Sequence, residues 1–300
     1  MGRTRSLRGG RSSVWIAALA LVVTGFGCLN ALLPIDGAAR LLWSAALGDA
    51  PASGAASLAA ATWRTVLCLV AAGAVVGMAE GGSTDARRRW PSLSIVAASL
   101  AASAAAALVL ERGEVWPPTA SVLRSVTAAL AAMAAAALSL RWTRTRPALA
   151  LCSALLLAAA LWGWLGFVAA GAPEAQASRG RFLLGGYWAP SVTDTALALL
   201  GWAVTCLPGG ARRWAPLGMG LVAASVGPLP LVGALALVPG AAAGPLARGL
   251  WGGSAALLAA TVSALIAPSA SVPAGALTLL VGSLYLAGRL VWSRARPGSV

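Results

Sequence analysis

The chain has no lysine and no histidine, and its 300 residues include only 8 acidic ones. Each absence excludes a class of chemistry. Without lysine there is no Walker A motif, so the chain does not hydrolyse ATP through a P-loop. Without histidine the common zinc sites and the Ser-His-Asp arrangement are missing. No HExxH motif, carboxylate pair or Ser/His constellation offers convergent catalytic groups, so the sequence reads as that of a non-enzyme. Charge is also scarce. Charged residues make up 10% of the chain, whereas a soluble domain carries about 25%. That is too little to cover a water-exposed surface but enough to cover the ends of a bundle whose sides face lipid. Cys28, Cys68, Cys152 and Cys206 stand singly in or beside apolar runs, with no CxxC pair, and read as small buried apolar side chains.

What remains is oily and basic. Hydrophobic residues make up 59% of the chain and the mean hydropathy is +0.82. All 22 basic residues are arginine, and the formal net charge is +14. Such a charge raises the question of nucleic acid, but the arginines sit in short clusters between apolar runs, where anionic headgroups would meet them. The chain reads as an all-α, polytopic membrane bundle of about ten transmembrane helices, some short or broken. Residues 1–13 form a basic cytoplasmic tail, 14–292 the membrane domain and 293–300 a cytoplasmic C-terminal tail.

The spans are expected at Val14–Leu33, Thr62–Ala79, Ser92–Leu110, Thr119–Leu140, Ala148–Ala170 and Ser191–Leu207, then Ala215–Val226, Leu229–Ala243, Leu250–Ala267 and Val272–Trp292. Between the first two, LLWSAALG suggests a short interfacial helix. Ala215–Val226 would rise only about 18 Å as a helix, against a hydrocarbon core of roughly 30 Å. Prolines interrupt the next apolar stretch, GPLPLVGALALVPG. Short or broken helices of this kind either line a transport path or pack as kinked helices. With the N-terminus inside, the arginine-rich segments 80–90, 141–147, 209–214 and 293–300 all fall on the cytoplasmic side. The loops 111–118 and 171–190, which carry both signs of charge, fall outside.

Within the second span, RTVLCLVAAGAVVG places Gly73 and Gly77 four residues apart on one helical face, where a neighbouring backbone can come close. Further elements stand in order after it: FLLGGYWAPSVTD (182–194), VGPLPLVGALALVPG (226–240) and VPAGALTLLVG (272–282). Together these resemble the motifs of the FecCD-like permease family, the ten-helix membrane subunits of bacterial ABC importers for iron-siderophores, haem and vitamin B12. The family has an Arg-x-x-Leu start to its second span, a Gly-Ser then Trp-x-Asp stretch before its sixth, and a Gly-Pro-Ile element ending in Val-Pro. A Leu-Pro-x-Gly-x-x-Thr element comes last. The resemblance runs through nearly the whole chain.

The resemblance implies a permease subunit of the cell inner membrane that pairs with a second permease subunit, identical or not. An extracellular binding protein would deliver an iron chelate or similar metal complex, and a separate cytoplasmic subunit would bind ATP. The chain itself would hold no cofactor or metal and bind no nucleic acid. Its translocation path or helix-packing residues would be Arg64, Gly73, Gly77, Gly185, Gly227, Pro228, Gly233, Pro239, Pro273 and Gly275. Arg212, Arg213 and Arg248 would form the cytoplasmic coupling surface. At the outer end Arg64 either snorkels to headgroups or meets acidic residues of a binding protein, and Arg124 and Asp194 are further outer-edge charges. The chain departs from the family in three places. Val238–Pro239 is followed by glycine and alanines instead of histidine and arginine. STDARRRWPS replaces an Asn-Pro-Leu-Ala stretch. Pro208–Trp214 is too short for the family's acidic coupling helix. Three other readings therefore stand beside the importer: a diverged protein without coupling, a non-ABC transporter or scaffold, and, least favoured for want of convergent polar groups, a membrane-embedded enzyme. The scarcity of buried charge disfavours ion-driven transport.

Overall fold

The computed structural model describes residues 3–32, 53–81, 93–110, 117–143, 190–227, 229 and 244–266, with 275, 277, 278, 281, 282, 284 and 285. Every described element is helical. In chain order they are α1 (Arg3–Leu32), α2 (Ser53–Gly81), α3 (Leu93–Leu110), α4 (Pro117–Thr143), α5 (Val192–Cys206), α6 (Gly210–Arg213), α7 (Ala215–Val226) and α8 (Pro245–Ile266). The spans expected at Ala148–Ala170, at Leu229–Ala243 beyond its first residue, and over most of Val272–Trp292 lie outside the described residues, as does LLWSAALG. The all-α class holds for what is described, and the count of ten rests partly on segments beyond it.

Alanine-rich, proline-free runs favour helix, and punctuation sets the ends. Ser191 caps α5: its hydroxyl accepts from Asp194 N while the Asp194 carboxylate accepts from Ser191 N, a reciprocal capping box. Gly209 (φ 73) opens the α5–α7 turn in the left-handed region, and Gly227 (φ 76) closes α7. α7 matches its expected bounds, and α5 does so to within a residue at each end. Two helices begin earlier than hydropathy suggests. α1 starts at Arg3 because nothing in the basic head stops a helix, so the expected tail continues the first span. α2 starts at Ser53, inside a stretch read from its charges and glycine as broken.

The contacts fix helix directions. Gly73 lies on Gly252 and Gly77 on Arg248 and Gly249, so α2 and α8 run antiparallel. Leu21 meets Gly253 and Gly25 meets Leu257, so α1 runs parallel to α8. Arg64 reaches Pro190 and Cys68 reaches Thr195, which sets α5 parallel to α2. Arg124 meets Asp194, so α4 shares that direction. Gly201 lies against Gly218 and Leu221 while Ser225 reaches Asp194 O, so α7 opposes α5. These directions are the ones an alternating path requires of spans one, two, four, six, seven and nine. The turn 209–214 and the start of α5 lie at opposite ends of the bundle, called inner and outer below after the side that the arginine clusters lead one to expect.

Size is sorted in the reverse of a soluble core. The buried set is dominated by small residues, including Ala98, Ala102 and Ala106 on α3 and Ala128, Ala132 and Ala136 on α4. Large apolar side chains face outward: Trp15 is 76% exposed, and Leu19, Phe26, Leu130 and Leu138 lie above 60%. A water-soluble bundle would not leave such stripes bare, whereas helices in lipid come together through small residues and keep large ones at the periphery. Ala60–Glu80 and Thr119–Ser139 are each long and apolar enough to cross a membrane. Hydroxyls suit the same solvent: Ser103, Thr205 and Thr261 each donate to the carbonyl four residues back, at 2.8–2.9 Å.

The α2–α8 contact is the tightest. A Cβ on Gly73 would collide with the Gly252 carbonyl and reach Gly253 N at 2.8 Å, and one on Gly252 would collide with the Gly73 carbonyl. Gly73→Leu should therefore force the helices apart and lower the apparent Tm in detergent by about 2–10 °C, an overpacking cost of about 1–3 kcal/mol. Gly27→Ala should leave it unchanged or higher, since nothing lies within 4 Å of that site. Thermal unfolding of the two variants side by side checks both.

Candidate functional site

A buried polar cluster gathers at the outer ends of α2, α4, α5 and α7. It is built on the N-terminus of α5, where exposed backbone N–H groups favour a carboxylate. Asp194 uses both of its oxygens. Oδ1 takes an ion pair from Arg124 Nη2, and the two side chains are only 6% (Arg124) and 3% (Asp194) exposed. Oδ2 accepts from Ser191 N at 3.0 Å and Ser191 Oγ at 2.9 Å. The Asp194 carbonyl accepts from Ser225 Oγ at 3.1 Å, which ties in α7. Ser121 Oγ lies 3.4 Å from Ser191 Oγ, Thr195 Oγ1 donates to Ser191 O at 3.0 Å, and Cys68 Sγ approaches Thr195 Oγ1 at 3.7 Å. Arg64 Nε completes the cluster by donating to Pro190 O at 2.8 Å.

The arrangement holds one positive and one negative charge together out of solvent. Desolvating two ions is expensive, and only good geometry with further hydrogen bonds offsets it. The capping box supplies those bonds on the carboxylate side. On the cation side Arg124 Nε is buried without a hydrogen-bond partner. Among the described residues no three of His, Cys, Asp and Glu come together as a metal site would need. The cluster orients helices and holds charge.

A second polar contact closes the inner end. Arg248, 9% exposed, donates from Nη1 to Glu80 O at 3.3 Å. A cation there meets the carbonyl end of α2, where the helix dipole favours it. Glu80 is itself buried.

The expected site residues separate into groups. Gly73, Gly77 and Arg248 come together in one seam, where Gly77 touches the Arg248 carbonyl. Arg64 joins the outer cluster. Gly227 is the buried C-cap of α7. Gly275 is buried and its carbonyl accepts from Thr278 Oγ1 at 2.8 Å. Arg212 and Arg213 lie on α6, with Arg213 exposed. Gly185, Pro228, Gly233, Pro239 and Pro273 lie outside the described residues.

Three expectations change. Arg64 bonds to a backbone carbonyl across helices. Arg124 and Asp194 are a buried pair and not edge charges. Arg248 turns into the bundle. Buried charge is correspondingly less scarce than the sequence suggests, with Glu80, Arg124, Asp194 and Arg248 all inside. The sequence carried a signal for the pair: two opposite charges, each about one turn inside the outer end of a span. It also held Gly249, Gly252 and Gly253 in ARGLWGG, the partners of the α2 glycines.

No protein-family model matches the chain, and no curated protein matches it. Among solved structures, a transporter assigned to the metal-chelate ABC type, in an inward-facing conformation, superposes with a TM-score of 0.59 at 14% identity, covering 93% of this chain and 98% of that one. The two share one fold over nearly their whole lengths, so the permease resemblance read from the sequence holds at the level of fold.

The charge pair yields a direct test. Asp194→Asn keeps the cap but strands Arg124, and Arg124→Met strands the carboxylate. Each should cost about 3–5 kcal/mol, the usual penalty for an uncompensated buried charge. The double variant should lose clearly less than the sum. Thermal unfolding of the four proteins in one detergent measures the coupling.

Proposed function

We propose that the chain is the transmembrane permease subunit of an ABC-type importer for an iron chelate or a similar metal complex. The observation that carries this reading is the shared fold across almost the full length of both chains. Support also comes from the ordered motifs of the sequence and from helix directions that fit alternating spans. The inverted sorting of large and small residues supports a bilayer as its solvent. A second permease subunit, an ATP-binding subunit at the inner end and a binding protein at the outer end complete the assembly.

The inner end bears on coupling. α6 is four residues long and folds back on α5 and α7: Gly210 N donates to Leu207 O at 2.6 Å and Trp214 N to Gly210 O at 2.8 Å. With Arg248 turned inward, the coupling residues left at this turn are Arg212 and Arg213. A cytoplasmic partner would meet a flush cationic turn instead of a projecting acidic helix, so its own contact surface should be acidic.

Two measurements test the reading. Tagged protein taken from its native membrane in mild detergent should bring down an ATP-binding subunit in stoichiometric amount. Recovery of the chain alone from cells that express the whole system would overturn the importer. In a cysteine-free background, Arg88→Cys and Arg144→Cys should be labelled by an impermeant maleimide only after the cytoplasmic side is opened. Labelling in intact cells would overturn the topology.

A further inference from the structure

Among the described residues the helices fall into two groups, each fastened within itself. α2 and α8 share the glycine seam, and α1 lies on α8 through Leu21 and Gly25. α4, α5 and α7 are tied together by the Arg124–Asp194 pair, by Ser225 on the Asp194 carbonyl and by Gly201 against Gly218. α3 packs on α4 and α7 and belongs with them. α2 is the helix of the first group that packs on the second, chiefly on α5 and α7. The joint between the groups is therefore one face of α2.

That face changes in kind along its length. At the outer end Arg64 Nε donates to Pro190 O at 2.8 Å, a charge-assisted bond of the stronger sort. One turn further in, Cys68 Sγ lies 3.7 Å from Thr195 Oγ1. Beyond that Val75 lies over Gly218 on α7. At the inner end α2 meets α5 through two sulfurs, Cys206 Sγ and Met78 Sδ, 3.8 Å apart. Sulfur contacts of this kind tolerate changes of geometry. Beside them α1, α2, α5 and α8 leave an apolar void with room for about one water molecule, lined by Val70, Ala74 and Met78 of α2 and by Trp202 of α5. Side chains facing such a void give up dispersion contacts on that side. The α2–α5 contact is thus pinned at one end by a directional bond and held at the other by non-directional, incompletely packed groups.

We propose that the two groups of helices pivot on the Arg64–Pro190 bond, so that α5, with α4 and α7, swings away from α2 at the inner end while the outer ends stay together. A rotation centred on that bond leaves its length nearly unchanged. The sulfur contact and the walls of the void give way instead. Over the roughly 21 Å of α2 between Arg64 and Met78, a rotation of about 15° parts the inner ends by about 5 Å. The pivot is a property of the fold and does not depend on the importer reading.

The test measures distances between pairs of spin labels on the full chain in lipid nanodiscs. The labels are carried on p-acetylphenylalanine, which leaves the native cysteines in place. Leu207 and Gly244 take the inner pair and Trp63 and Val192 the outer pair, all four being exposed. The outer pair should give one narrow distribution. The inner pair should spread over about 5 Å or more, or fall into two populations. Arg64→Met should widen the outer distribution. Met78→Cys, oxidised to a disulfide with Cys206, should collapse the inner distribution to its short-distance part and leave the outer one as it was. An inner distribution as narrow as the outer one overturns the pivot. So does an outer distribution that Arg64→Met leaves unchanged, or an inner one that stays equally broad when cross-linked. Should Arg64→Met not fold, the two pairs with and without the cross-link decide the matter by themselves.

Discussion

The bundle depends on how closely α2 approaches its neighbours. α2 packs against α8 through glycine on both sides, against α5 through Cys68 and Met78, and against α7. Backbone meets backbone at Gly73 and Gly252 with no side chain between. In water such a contact would compete with burial of larger residues. Between helices whose surroundings are as apolar as their side chains, close van der Waals contact is what association has to offer. The glycines of α2 and α8 are therefore a requirement of the solvent, and the alanine stripes of α3 and α4 obey the same logic with one more carbon per contact.

Around that seam the polar groups are economical. Buried hydroxyls such as Ser103, Ser139 and Thr205 return their protons to their own helices, while Ser225 donates across to Asp194 O. The two arginines placed deepest use different solutions: Arg124 pairs with a carboxylate, while Arg248 caps the end of a helix. Both are answers to one problem, a cation without water. The capping box of α5 serves twice, since the oxygen atoms that start the helix also hold the aspartate in position for Arg124. A local rule of helix initiation and a contact between residues 70 apart in sequence thus share the same side chain.

Much of this was legible in the sequence, for reasons that differ by element. α5 and α7 were readable because their ends are marked by serine, proline and glycine, whose backbone preferences act locally. The relative directions of α1, α2, α4, α5, α7 and α8 agree with the alternation expected from arginine placement, which reflects a bulk property of membranes. The early start of α2 was not, because hydropathy falls where the helix leaves the apolar zone although nothing breaks the helix itself. Of the Arg124–Asp194 pair only the matching depth of two opposite charges was legible, because no spacing along the chain reports which helices stand side by side. Gly73 and Gly77 announced a close contact, but their partners on α8 emerged only from the packing.

The lengths of the helices around Asp194 have a consequence for the shape of the outer surface. α5 has 15 residues and α7 has 12, or about 22 and 18 Å of rise, against a hydrocarbon layer of roughly 30 Å. α2 continues outward from Arg64 to Ser53, about 16 Å past the level of Pro190. The start of α5 is thus sunk well below the rim of its neighbour. Among the described residues, that difference in height leaves the first turns of α2 without α5 beside them and sets the buried Arg124–Asp194 pair inward of that rim.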